Sequence, residues 1–257
     1  MVTAAIELVD VSLAYGTFLA LDHVTIGVSA GSILGLVGRN GAGKSTTISL
    51  LAGLLEPTSG QVRIGGLDFE RNDPAIRRQC GYLLSEEALF AYLTAEETLG
   101  FVAEAFGIDG TERDRRISDL IGFFGLAEAE GVIVDDYSTG MRKRLALAAA
   151  IVHAPRILVL DEPFESLDPL MVRRLKRMLA DFAAGGGTVF LSSHLLDAVA
   201  EIGTHIAILD RGRLLVHGPT REAIDQMAAA RASEPSLEAL YASVVPDDSM
   251  PAIDWLR

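Results

Sequence analysis

Cysteine is almost missing: Cys80 is the only one in 257 residues. One thiol cannot close an internal disulfide or build a multi-cysteine metal site. No activating neighbour accompanies Cys80, which reads as a core thiol. A long apolar run is missing too. Nothing approaches the ~18 residues of a membrane span. The longest candidate, Leu145 to Val152, begins just after Arg142, Lys143 and Arg144 and reads as a buried helix. A basic leader is also missing. Met1 to Ala5 carries no lysine or arginine, and Glu7 and Asp10 follow, so no secretory signal is expected and the cytoplasm is the expected location. Basic charge is scarce overall: 22 Lys and Arg against 35 Asp and Glu give a net charge of −13. That argues against a general nucleic-acid binder, which needs basic surface for phosphate backbones. It also argues against broad adsorption to anionic lipid, so any membrane contact should run through a protein partner. No internal repeat and no low-complexity linker divides the chain.

What is present suits one large domain, because 49% of the residues are hydrophobic. Short β-rich runs open it, Ile6 to Val11 and Val24 to Val28. Ser32 to Val37 is an apolar strand leading into a glycine loop, and Lys44 to Leu51 reads as a helix with Gly53 as its stop. Pro57-Thr58-Ser59-Gly60 is a turn before a strand at Gln61 to Ile64. The character then changes. Thr94 and Glu97 have capping-box spacing for a helix through Phe106, and Thr111 starts another with Ile117, Leu120, Ile121 and Phe124 on one face. The stretch from about 84 to 152 reads as all-helical. Strands return at Arg156 to Leu160, Thr188 to Ser192 and Thr204 to Leu209. Asp168-Pro169 begins a helix, Asp210-Arg211-Gly212 turns into a hairpin strand at Arg213 to Val216, and a short helix is expected near Leu237 to Val244. The expected fold class is α/β, a core at 1–83 and 153–226 interrupted by a helical subdomain at about 84–152, with a C-terminal extension at 227–257.

Gly38-Arg39-Asn40-Gly41-Ala42-Gly43-Lys44-Ser45 fits the pattern G-x-x-x-x-G-K-[ST]. Glycines let backbone amides turn inward onto anionic oxygens without a Cβ clash. Those amides form a nest, and the following helix aims its positive end at it. Lys44 is placed to reach β- and γ-phosphates, and the Ser45 hydroxyl is a hard ligand suited to Mg²⁺. At ~7% glycine usage, a chance match in a chain this long has odds on the order of one percent. A second cluster follows the four aliphatics Ile157-Leu158-Val159-Leu160, which suit a strand buried on both faces. Asp161 and Glu162 then fall at the carboxyl edge of a sheet, where such folds bind ligands. Phosphoryl transfer there needs one carboxylate for Mg²⁺, suited to Asp161, and one to polarise the attacking water, suited to Glu162.

With those two clusters in hand, the chain resembles the ABC ATPase family from about Ile6 to Gly218. Tyr15 matches the aromatic that stacks on adenine. Tyr137-Ser138-Thr139-Gly140-Met141 looks like the signature segment, which heads a helix and binds the γ-phosphate of ATP held by the opposite subunit. Ser166-Leu167-Asp168 matches the loop that crosses the dimer interface, and Ser193-His194 matches the switch histidine. The resemblance implies a P-loop NTPase core, RecA-like with an N-terminal antiparallel β part. It implies ATP and Mg²⁺ as ligands. It implies nucleotide contacts along Gly38 to Ser45 with Thr46, from Tyr15, and across a dimer from Ser138, Gly140 and Asp168. Lys44, Glu162 and His194 would be catalytic, with Ser45 and Asp161 on the metal. Singly, Tyr15 reads as a strand aromatic, Ser138 and Asp168 as helix N-caps, and His194 as a structural histidine. Six motifs in the family's order are far less ordinary.

Two positions depart from the family pattern. Leu84 and Ser85 stand where glutamine is usual. Ser85 needs a bridging water to reach Mg²⁺, and Glu86 is the alternative ligand. In the signature, Thr139 replaces the usual glycine and Met141-Arg142 the common glutamine, while Ser138 and Gly140 are kept. Such signatures resemble those of bacterial subunits that pair with a separate membrane permease, often exporters. The expected assembly is thus a head-to-tail pair with itself or a homologous ATPase, peripheral on the membrane through a permease, with no nucleic acid. A soluble ABC ATPase acting on nucleic acid or ribosomes, and a regulatory module with weak hydrolysis, are the alternative functions.

Overall fold

The computed structural model describes residues 4–69, 74–84, 89–231 and 234–245. Two long strands open it, β1 (Ala4–Tyr15) and β2 (Phe18–Ser29), paired antiparallel. They run well past the expected 6–11 and 24–28. Tyr15 pairs with Phe18 across a two-residue turn, so the hairpin extends to its own tip. β3 (Ile33–Val37) leads into α1 (Lys44–Leu51), and β4 (Ser59–Ile64) returns to pair with β1. β4 begins inside the expected turn, because Ser59 already pairs with Ser12. A short β5 (Leu67–Asp68) completes this sheet, ordered β2-β1-β4-β5.

The second sheet carries the chemistry. α2 (Pro74–Gln79) and β6 (Cys80–Leu83) precede the helical lobe; β7 (Ile157–Leu160), β8 (Thr188–Ser193), β9 (His205–Asp210) and β10 (Arg213–Pro219) follow it. Their order is β10-β9-β3-β8-β7-β6, with β6, β7, β8, β3 and β9 parallel and β10 antiparallel at the edge. β3, β7 and β8 are buried at every residue. Alternation still governs them, because each strand feeds two different cores. Leu34, Leu36, Val159 and Phe190 pack toward the antiparallel sheet and α1. Ile33, Val37, Leu158, Leu160, Val189 and Leu191 pack toward the helices on the other face. Helix-covered parallel strands must be apolar on both sides, and each such leucine contributes roughly 1.5–3 kcal/mol by its burial.

The helical lobe holds α3 (Ala95–Ala105), α4 (Gly110–Phe124) and α5 (Thr139–Ile151), with short 3-10 turns at Ala127–Ala129 and Val134–Asp136. Among the described residues it contains no strand. The expected capping box at Thr94 is complete: Glu97 N donates to Thr94 Oγ1 at 3.2 Å, and Thr94 N to Glu97 Oε2 at 2.9 Å. α6 (Pro169–Ala184) starts at the expected Asp168 cap. α7 (Leu196–Ile202), α8 (Thr220–Arg231) and α9 (Leu237–Val244) finish the chain. α9 has the expected bounds. α2, α7 and α8 carry no clear sequence signal, and α8 runs across the boundary expected at residue 226. None of the described helices is long and apolar enough to cross a membrane.

Candidate functional site

β3 delivers the chain to the glycine loop, and α1 starts at Lys44, so the positive end of that helix opens toward the loop. Gly43 is the cap of α1, with φ of 109°. A Cβ there would be strained and would lie 2.8 Å from the carbonyl oxygen of Ala20, so the turn into the helix requires glycine. Lys44 is nearly buried, at 7% exposure. Its ammonium donates to the Gly38 carbonyl at 2.8 Å and stands 3.7 Å from Glu162 Oε1. A buried cation needs such partners, and these fix its head at the floor of the loop.

The acids come from the end of β7, the strand two places along the sheet. Glu162 has a left-handed backbone, φ 45°, uncommon for a non-glycine residue and a type of strain that collects at functional sites. Its amide donates to Ser192 Oγ at 3.0 Å, and the Ser192 hydroxyl donates to the Asp161 carboxylate. Ser192 is fully buried, so one serine holds the Asp161 carboxylate and the Glu162 backbone. His194 follows β8. Its backbone N–H donates to Glu162 Oε2 at 3.1 Å, and its ring Nδ1 lies 2.9 Å from the same oxygen. A carboxylate only accepts, so Nδ1 is the donor in this contact.

Two adjoining cavities share this centre. The first, about 500 Å³, is lined by Tyr15 and Phe18 at one end, by Lys44, Ser45 and Thr46 along the loop and α1, and by Asp161 and Glu162 opposite. The second, about 530 Å³, lies on the other side of Glu162, among Gly38, Arg39, Asn40, His194 and Tyr241. Both volumes suit a small-molecule ligand. Mg²⁺ takes hard oxygens and draws many of its ligands from water and phosphates. The Ser45 hydroxyl and Asp161 carboxylate facing one cavity are a donor set of that kind, so the residues present fit the ion. Ser85 and Glu86 lie outside the described residues.

Other expected residues stand elsewhere. Ala42 is buried, and its carbonyl accepts from Gly212 N at 2.9 Å. Ser138 caps α5, accepting from Met141 N at 3.3 Å, and Asp168 caps α6, accepting from Leu170 N and Met171 N at 3.0 Å each. Those amide bonds, Met171's first, hold the Asp168 carboxyl below its ordinary range. Ser138, Gly140 and Asp168 line neither cavity, but they adjoin one another. A Cβ on Gly140 would lie 2.7 Å from the Ser166 carbonyl, so the head of α5 sits directly on the loop before α6.

Several residues of the site carry no motif. Phe18 is legible only as the partner of Tyr15 across the turn, Lys143 only through the phase of α5, and Ser192 is hidden in an apolar strand. Glu165 borders both cavities, and Tyr241 arrives from a distant helix. A larger cavity, about 830 Å³, lies elsewhere, between α3 and α4.

Known proteins share this sequence pattern and fold. The sequence profile described as ABC transporter matches residues 21–165, more than half of the chain. The bacitracin transport ATP-binding protein BcrA of Bacillus licheniformis is 37% identical over 215 residues, 83% of this chain and 69% of that one. The daunorubicin/doxorubicin resistance ATP-binding protein DrrA of Streptomyces peucetius is 36% identical over 220 residues, 86% of this chain and 67% of that one. A solved ATP-binding subunit of an ABC transporter superposes with a TM-score of 0.86 at 32% identity, covering 94% of this chain and 99% of its own. A dimeric ATP-binding cassette in a post-hydrolysis state, bound to ADP and Pi, gives 0.73 at 25% identity over 83% of this chain and 98% of its own. The fold is the P-loop NTPase fold of those cassettes, the ligands are ATP and Mg²⁺, and the chain belongs to the ABC transporter family as an ATP-hydrolysing cassette.

Proposed function

We propose that this chain is the motor subunit of an exporter whose membrane permease is a separate polypeptide. The observation that carries the reading is the convergence of Lys44, Asp161, Glu162 and His194 on one centre, with Glu162 held between the Lys44 ammonium and the His194 ring. The phosphates of ATP lie along the loop amides and Lys44, and adenine stacks at the Tyr15 and Phe18 end. Ser45 and Asp161 would hold Mg²⁺, which would supply positive charge to neutralise the phosphates. Glu162 accepts a proton from the attacking water. The His194 backbone N–H and ring Nδ1 both donate to Glu162 Oε2 and keep that carboxylate in place. In-line transfer needs positioning and charge stabilisation more than covalent help, and these residues supply both.

Two copies complete two sites. The N-terminus of α5 carries Ser138 and Gly140 outside the cavities of its own chain, as a surface offered to a partner's γ-phosphate fits. Asp168 lies beside it on the same face. The dimeric state of a solved relative supports this pairing, with this chain itself or with a homologous ATPase as the second copy. The helical lobe at about 84–152 docks the permease, and the cassette sits peripherally on the inner face of the membrane. Exposed Phe90, Tyr92 and Phe101 support a docking surface there, at 46%, 84% and 55% exposure. Relatives named for antibiotic transport and drug resistance support export as the direction.

Glu162→Gln tests the catalytic part. General-base catalysis contributes roughly a hundredfold to ten-thousandfold, so phosphate release should fall by about that factor with ATP binding retained. Wild-type turnover in the variant would sink the assignment. Co-purification of a membrane-spanning protein with the tagged chain tests the partner, and repeated isolation of the cassette alone from solubilised membranes would count against it.

A further inference from the structure

The second cavity has a wall that no motif accounts for. Tyr241, from α9 near the end of the described chain, borders it together with Arg39, Asn40, Glu162 and His194. α9 is firmly seated: Leu237, Leu240 and Val245 are buried, in the same core as Ala198 and Val199 of α7. Ser236 caps it, accepting from Ala239 N at 3.1 Å. Leu237, Leu240, Tyr241 and Val244 form one stripe at helical spacing, so the Tyr241 ring serves packing, as a phenylalanine could. The hydroxyl is the part that packing does not need. Burial, chiefly, raises the phenol's pKa and the nearby Asp210 carboxylate adds to it, while the charge of Arg39 and a hydrogen bond with its side chain act the other way. Tyr241 is half-buried, and the polar partner of its hydroxyl is the second residue of the phosphate loop. α9 also packs on α7, the helix that directly follows His194-Leu195.

Arg39 borders both cavities and therefore stands at the junction between the loop and the Glu162–His194 pair. A guanidinium on a long, flexible chain is useful to an anion only when it is oriented in advance. We propose that Tyr241 is a positioning residue: its hydroxyl accepts from the Arg39 guanidinium and holds that cation on the Glu162–His194 side of the loop, where it favours ATP over ADP. This rests on the nucleotide reading of the site, and it gives the C-terminal helix a part in binding the terminal phosphate. Lys44 secures either nucleotide from the floor of the loop; Arg39 adds a charge that only the longer phosphate chain reaches.

The test measures equilibrium binding of Mg²⁺–ADP and of an imido-bridged, non-hydrolysable ATP analogue to the full chain. Tyr241→Phe keeps the ring and removes the hydroxyl. It should weaken the ATP analogue about three- to tenfold, the worth of one hydrogen bond, with ADP affinity and the thermal midpoint unchanged. Arg39→Ala should show the same bias, and the double variant should bind like Arg39→Ala alone. Wild-type ratios in Tyr241→Phe, equal weakening of both nucleotides, a shifted midpoint with an unchanged ratio, or simple additivity in the double variant would each overturn the inference. Lys44→Ala separates the two levels: it should lose both nucleotides, and parental binding in that variant would bring down the nucleotide site itself.

Discussion

The two halves of the proposed composite site are built differently. The loop half is crowded and mutually bonded. Lys44, Glu162, His194, Ser192 and Asp161 form a continuous set of contacts between three neighbouring strands' ends. The signature half is sparse. Among the described residues Ser138 and Asp168 accept from amides of their own helices, and neither lines either of the two cavities at the loop. The loop half is thus organised within one chain. The signature half has a local role, capping, which hides any role it plays across a dimer. The contrast locates what a second copy would add: an anion-favouring helix end and hydroxyl for a ligand already held from the other side.

Breaking the loop half gives the largest effect. Lys44→Ala removes the cation at the loop's floor, and phosphate release should fall by on the order of a hundredfold to a thousandfold. The signature half is probed by a substitution that separates capping from phosphate contact. Aspartate caps helices as well as serine does. Ser138→Asp should therefore keep the thermal midpoint, yet cut turnover about tenfold or more through like-charge repulsion with a partner's ATP. Unchanged turnover would reduce Ser138 to a cap. Gly140→Ala tests the seat of α5 on Ser166. The clash at 2.7 Å should cost about 1–3 kcal/mol, read by denaturant unfolding.

The smallest effect concerns the seam between lobe and core. His153 stacks on Phe106 with ring centroids 3.8 Å apart, and its Nε2 lies 2.9 Å from the Cys80 carbonyl oxygen. Burial, chiefly, holds its pKa below 6.5; the Cys80 carbonyl opposes that and Arg116 adds to it. Above pH 6.5 the ring is neutral both folded and unfolded, so it adds no pH dependence there. As the pH falls through that value the unfolded chain takes up the proton first, and stability declines until the lower folded pKa is passed. Thermal midpoints measured on both sides of pH 6.5 should show a loss on acidification that shrinks in His153→Phe.

Sequence pattern made the order of strands and helices and the glycine loop legible because both rest on local rules. Runs such as Ile157 to Leu160 announce strands buried on both faces, and Gly43-Lys44-Ser45 combines turn, cation and hydroxyl within three residues. α9 falls where a short helix is expected, near Leu237 to Val244. The unmarked parts depend on partners far away in the chain. Ser192 looks like strand filler until β7 and β8 pair and bring Asp161 and Glu162 to it. Tyr241 looks like one more packing residue until α9 folds back against the loop. β1 and β2 outran expectation because a hairpin propagates by cross-strand pairing, which a one-strand pattern does not contain.

The central claim is that Ser138 completes a site held by another chain. It is tested most directly by sedimentation of Glu162→Gln with and without Ser138→Arg, each saturated with Mg²⁺–ATP. Glu162→Gln alone should sediment as a dimer with ATP and as a monomer with ADP. The double variant should bind ATP with the same affinity in its monomeric form and remain a monomer. A double variant that still dimerises on ATP, or a Glu162→Gln protein that stays monomeric when saturated, would contradict the account.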